Sequence, residues 1–185
     1  MAKNIFYSLM LIVLFASCIR EDVPNNRQFV VEEGQNVTNL LDFDMDIFGG
    51  ETVNIANYLG RVILIQFTTW DCRMSFSQML HIEQQIWRKH KDNPEFALFG
   101  IARREENTPE RVADLINRTG VTYPIVMDPT QYIFTRFAER NGGATRAILI
   151  NKDGTIVKLT RYFSRDGWVE FNELVARIDA LLADD

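Results

Sequence analysis

Cys72 is the residue of this 185-residue chain best placed to do chemistry. It follows a continuous apolar run, Val62 to Phe67, and precedes apolar positions that recur at helical spacing. Those positions are Phe76, Met79, Leu80, Ile82, Ile86 and Trp87, and they predict one helix to about Lys91. A cysteine at a helix start meets unpaired backbone N–H groups and the positive end of the helix dipole. Both favour the thiolate, which is the reactive form. Arg73 adds a cation and Asp71 an anion beside it, so the net shift has no direction fixed by sequence. An accessible thiol, partly ionised near neutral pH, is expected. One turn on, in the run Cys72-Arg73-Met74-Ser75, stands a hydroxyl able to hydrogen-bond the sulfur but not to resolve a mixed disulfide.

The second of the two cysteines, Cys18, belongs to a different pattern. Lys3 is followed by the apolar stretch Ile5 to Phe15 and then by Ala16-Ser17-Cys18. Such a stretch is shorter than the roughly 20 residues a membrane span needs and has the layout of a secretory signal. The small residues before Cys18 resemble the bacterial lipobox, in which the cysteine becomes the acylated first residue of the mature chain. Residues 1–17 are therefore expected to be a signal peptide and 18–38 a lipidated N-terminus with a polar tether. Residues 39–185 are expected to form the domain. The resemblance implies a membrane anchor in a bacterial envelope, and Arg20-Glu21-Asp22 resembles signals that direct lipoproteins to the outer membrane, periplasmic or surface-facing. With Cys18 acylated, Cys72 is left as the single free thiol.

The elements that must position Cys72 follow from periodicity. Asp42 to Ile47, Gly49-Gly50 and Glu51 to Ile55 read as a β-hairpin. Val62–Phe67 and Phe96–Ala102 read as strands buried on both faces. Thr108-Pro109 opens a helix that Gly120 closes. Tyr123–Met127 is extended and Tyr132–Ala138 is a short helix. Ala147–Ile150 and Thr155–Leu159 flank a turn, and an amphipathic helix ends the chain. Strands alternating with helices and finishing in an antiparallel hairpin predict an α/β fold. Its mixed central sheet would carry helices on both faces, with an N-terminal hairpin added.

On these residues the chain resembles thioredoxin-like proteins. Phe67 to Glu83 (FTTWDCRMSFSQMLHIE) is similar to the active-site segment of the envelope thiol-disulfide oxidoreductases of the TlpA/ResA group, with Trp70 one place early and Ser75 in place of the second cysteine. Gly143 to Gly154 (GATRAILINKDG) resembles that group's later turn and hairpin, with Thr145 where the group has a cis-proline. Thr69-Trp70-Asp71-Cys72 also resembles the Thr-x-x-Cys half of the loop in the alkyl hydroperoxide reductase/thiol-specific antioxidant family, the peroxiredoxin-like redoxins. Arg146 falls close to that family's arginine, while its proline position holds Ile65. The resemblance implies a thioredoxin-like fold with Cys72 as nucleophile, Ser75, Thr69 and Arg146 around it, and Thr145 bordering a substrate groove. It implies envelope thiol or disulfide proteins, small thiols or hydroperoxides as partners, and no cofactor or metal.

Three readings of Cys72 remain open: monothiol exchange, one-cysteine peroxidase chemistry with Thr69 and Arg146, and a redox-inactive interaction module. A Cys–His hydrolase is excluded on distance, because His81 lies nine residues along the helix, about 13 Å away at 1.5 Å per residue. A net charge of −5 disfavours nucleic acid, which needs a basic face.

Overall fold

The computed structural model describes residues 29–143, 146–160 and 167–183. The elements, in chain order, are β1 (Asp44–Asp46), β2 (Thr52–Asn54), β3 (Val62–Thr68), α1 (Arg73–Ile82), α2 (Arg88–His90), β4 (Phe96–Arg103), α3 (Pro109–Thr119), β5 (Ile125–Asp128), β6 (Arg146–Ile150), β7 (Ile156–Thr160) and α4 (Gly167–Ala183). The uninterrupted apolar run of β3 demands cover on both faces, and it takes the centre of a five-stranded sheet of order β5-β4-β3-β6-β7 with every residue buried. β4 runs parallel to β3 and β5 parallel to β4, whereas β6 and β7 pair antiparallel. This is the mixed sheet of a thioredoxin-like fold.

The two faces of that sheet are covered unequally. Val62, Leu64, Leu98 and Leu149 meet Met79 and Ile82 of α1, Val112 and Leu115 of α3, and Phe171, Leu174 and Ile178 of α4. On the other face Ile63, Ile65, Phe67, Ile101 and Ile148 meet the β1–β2 hairpin and Phe134 and Phe137. The helices on that side are single 3₁₀ turns, Thr38–Leu40, Ile55–Tyr58 and Phe134–Arg136.

The folded unit begins earlier than residue 39. Val31 and Val37, assigned by sequence to the tether, are buried in the second core. Gly34 N–H donates to Ile156 O at 2.8 Å, Ile156 N–H to Gln35 O at 2.9 Å and Val37 N–H to Gly154 O at 2.9 Å. Gly154 sits at φ +82° in the β6–β7 turn, where a Cβ would lie 2.2 Å from Thr38 Oγ1. Phe29-Val30-Val31 and Val37 are separated by the polar and glycine run Glu32–Asn36 and carry no periodic signal, and here the segment is held by isolated bridges rather than by a strand.

The single helix expected after Cys72 is also modified. Between α1 and α2 the chain makes a π-helical turn, Glu83–Trp87. The wider turn keeps Ile82, Glu83 and Ile86 all facing inward. Buried Glu83 there accepts the Thr122 N–H at 2.8 Å and the Thr122 hydroxyl at 3.0 Å.

α3 starts and stops where its sequence signals lie. Thr108 Oγ1 accepts the Arg111 N–H, Pro109 occupies the first turn, and Gly120 closes the helix at φ +64°. Thr108→Ala is expected to cost about 1 kcal/mol, read as a lowered urea midpoint at unchanged slope. Among the described residues no helix is long and apolar enough to cross a membrane.

Candidate active site

β3 ends at Thr68, and the next four residues carry the chain from the sheet into α1. Cys72 is the N-cap of that helix, with extended backbone at φ −103° and ψ 113°. The thiol expected to be accessible is largely covered, because Cys72 is only 8% exposed. It is the one cysteine among the described residues and stands outside any disulfide.

The loop that holds Cys72 is fastened from three directions. Ser75 Oγ accepts the Thr69 N–H at 3.2 Å, across the start of α1. The Thr69 hydroxyl donates to Asp71 Oδ1 at 2.9 Å. Asn107, buried beyond β4, accepts the Trp70 N–H at 2.8 Å through Oδ1. Its Nδ2 donates to Arg103 O and, at 3.4 Å, to Thr69 Oγ1. The turn that delivers Asn107 places Arg104 at φ +85°, a conformation unfavourable for a side chain with a Cβ. Two backbone bonds hold it: Arg104 N–H to Asp128 O at 3.0 Å, and Asn107 N–H to Arg104 O at 3.1 Å.

Trp70 and Phe76 form one wall beside the thiol loop. The Trp70 indole N–H donates to Asp114 Oδ2 at 2.8 Å, and Arg118 donates to the same oxygen at 3.1 Å. Those two bonds, the indole first, hold the Asp114 carboxyl below the usual carboxylate range. The guanidinium of Arg111 lies 4.7 Å over the Trp70 ring and that of Arg118 lies 4.1 Å over the Phe76 ring.

Arg146 opens β6, directly opposite Phe67 of β3, and is 1% exposed. Its Nε donates to Gly143 O at 2.9 Å, and its guanidinium lies 4.7 Å from the Phe29 ring centre. A second arginine, unanticipated from the sequence, matches it on the other side of β3. Arg103 ends β4 at 0% exposure, lies 3.7 Å over the Phe134 ring and donates to Gly142 O at 2.9 Å. Its Nε and Nη1 have no partner. Burial, then the charges of Arg104 and Arg146, lower its pKa to about 9. Burial likewise raises the Asp128 carboxyl, despite backbone bonds from Phe134 and Ile133. Burial thus pushes each of the two groups toward its neutral form.

Thr69 and Cys72 therefore share one loop, Ser75 stands in the first turn of α1 beside it, and Arg146 lies on the strand next to β3. Thr145 and Cys18 lie outside the described residues. Both histidines turn to α4: His81 packs 5.9 Å from the Phe171 ring, and His90 Nε2 is 2.8 Å from Asp179. Among the described residues no group of His, Cys, Asp and Glu is arranged to hold a metal ion. Sequence reasoning missed Asn107 and Arg103. The one available signal was an arginine ending the buried run FALFGIAR, where the chain leaves the sheet beside the thiol loop.

Comparison with known proteins agrees with this geometry. A Bacteroides thetaiotaomicron protein, described as a candidate protein disulfide isomerase in its solution structure, is 39% identical, with 85% of this chain and 94% of that one covered and a TM-score of 0.76. A secreted Mycobacterium tuberculosis disulfide oxidoreductase shares the fold at 19% identity, over 77% of this chain and 98% of that one, with a TM-score of 0.61. A Chlorobium tepidum protein described as a candidate thiol:disulfide interchange protein does so at 16% identity, over 82% and 99%, with a TM-score of 0.65. No curated protein sequence matches. The AhpC/TSA family model matches residues 34–159, spanning the thiol loop, both buried arginines and the sheet. The chain belongs to the AhpC/TSA family, and is a redoxin-type oxidoreductase on the thioredoxin-like fold.

Proposed function

We propose that this protein is a lipid-anchored envelope oxidoreductase in which Cys72 acts alone, exchanging thiols and disulfides with partner proteins or small thiols. One observation carries the reading: Cys72 caps α1 at the end of the central strand, in a loop fastened by Ser75 and Asn107. The thiolate attacks a partner disulfide, a new S–S bond forms to Cys72, and the partner's other sulfur leaves as thiolate. Ser75 cannot take part in resolution, so a second, external thiol must release the adduct. The apolar leader ending at Cys18 supports the anchor. Mass spectrometry of the mature N-terminus is expected to show an acylated Cys18; an unmodified N-terminus elsewhere rejects the anchor.

The peroxidase reading draws on buried Arg146 beside β3. Against it, the Thr69 proton is already committed to Asp71. Offering the reduced protein a small mixed disulfide is expected to give a Cys72 adduct, seen by intact mass. The sulfenate rate with hydrogen peroxide is expected to match that of free cysteine thiolate and to be unchanged in Arg146→Ala. A rate orders of magnitude faster, lost in both Thr69→Val and Arg146→Ala, would replace exchange by peroxidase chemistry. A thiol that reacts only after denaturation would remove both and leave an interaction module.

A further inference from the structure

Beside the thiol loop lies an open groove of about 550 Å³ lined by Trp70, Asp71, Arg73, Phe76 and Arg118. Its lining includes Asp71 and Arg73, the two chain neighbours of Cys72, so an occupant lies beside the loop that holds the nucleophile. The aromatic rings of Trp70 and Phe76 are each capped by a guanidinium, that of Arg111 and that of Arg118.

Hydrogen-bonding capacity in this groove is one-sided. The carboxylates are engaged within the protein: Asp71 accepts the Thr69 hydroxyl, and Asp114 accepts both the Trp70 indole and Arg118. Glu110, the other acid at this end of α3, is held by its own backbone N–H and by Thr108. A guanidinium carries five donors and no acceptor. Arg118 spends one on Asp114 and Arg111 one on Glu106 O, while exposed Arg73 makes no hydrogen bond or ion pair with a described residue. The groove's own lining carries two guanidiniums, Arg73 and Arg118, against one carboxylate, Asp71, on a chain whose net charge is −5.

We infer that this groove docks the substrate's own backbone segment, and that the preferred partner is a polypeptide with Asp or Glu beside the cysteine it presents to Cys72. This rests on the exchange function proposed above. A carboxylate on the incoming chain receives paired N–H bonds from a guanidinium, an arrangement that lysine or serine cannot reproduce. The rings give its backbone a flat surface. Selection is then electrostatic and acts on the rate of adduct formation rather than on the thiol itself.

The test uses three short peptides, each with one cysteine joined by a disulfide to 5-thio-2-nitrobenzoate and flanked by Asp, Ser or Lys. Attack by Cys72 on the peptide sulfur forms the Cys72–peptide disulfide and expels the coloured aryl thiolate, which is the better leaving group. The full chain is expected to react with the Asp peptide at least fivefold faster than with the Lys peptide at low salt, the Ser peptide lying between. The ratio is expected to shrink toward one in ~0.5 M salt, where exposed charges are screened. Arg118→Gln and Arg73→Gln are each expected to reduce the Asp-to-Ser ratio. Equal rates for all three peptides, or a faster Lys peptide, overturn the inference while leaving thiol exchange intact. Failure of every peptide to react, with normal reaction after denaturation, removes the exchange function and the inference together. A salt-independent preference also overturns it, and that reading needs no variant to fold.

Discussion

A chain that begins at Asn39 is expected to lose most of its stability, whereas one that begins at Phe29 should keep it. Residues 29–38 contribute Val31 and Val37 to the core under the sheet. Burying a valine side chain is worth about 1.5–3 kcal/mol. The segment also makes the three backbone hydrogen bonds to the β6–β7 hairpin, each worth about 0.5–1.5 kcal/mol. Together these approach the 5–15 kcal/mol by which a typical domain is stable. The loss extends to the site, because Phe29 lies under the guanidinium of Arg146 and Val30 N–H bonds Phe137 O at 2.9 Å. Urea denaturation of the two truncated chains measures the effect. The shorter chain should unfold at a much lower midpoint or be unfolded in buffer; equal midpoints would show that the segment is dispensable.

Asn107→Ala is expected to damage the thiol loop more than any other substitution outside it. One amide side chain there accepts the Trp70 N–H and donates to Arg103 O. Alanine leaves both backbone groups unpaired in a buried position, at about 1–3 kcal/mol each when no water enters. The local effect separates two rates. A loosened loop uncovers Cys72, so alkylation by iodoacetamide should quicken. Exchange with a disulfide that must be oriented against the sulfur should slow, by about tenfold or more, since small displacements of a reacting atom are costly. A general loss of stability would speed both reactions together. Asn107→Asp keeps the acceptor for Trp70 but sets a carboxylate against Arg103 O, and should fall short of wild type in the same direction.

These two expectations also mark the limits of what could be read from residue order. β3 and β4 were legible because continuous apolar runs have few alternatives to a covered strand, and α3 because Thr108, Pro109 and Gly120 each act within one turn. The position of Cys72 was legible for the same local reason, because it stands between a buried strand and the helix that follows. Val31 and Val37 were not, because the run Glu32–Asn36 between them leaves the apolar residues of this segment without a period. Asn107 was not, because its partner Trp70 is 37 residues away and the contact exists only after β4 pairs with β3. Arg103 defeats composition outright: arginine is read as exposed, and here two of its nitrogens are buried without partners. The engagement of Thr69 with Asp71 could not be told from spacing.

Ser75 has a further consequence for how this chain can change. Its hydroxyl is not an idle substitute for a lost sulfur, because it accepts the buried Thr69 N–H. Sulfur is a weak acceptor, so a cysteine at position 75 would satisfy that amide poorly and loosen the loop it was meant to serve. Gaining a second thiol therefore carries a structural penalty before any redox advantage appears. Ser75→Cys is expected to lower the urea midpoint even as it supplies a second thiol, unless another acceptor for the Thr69 N–H arises with it.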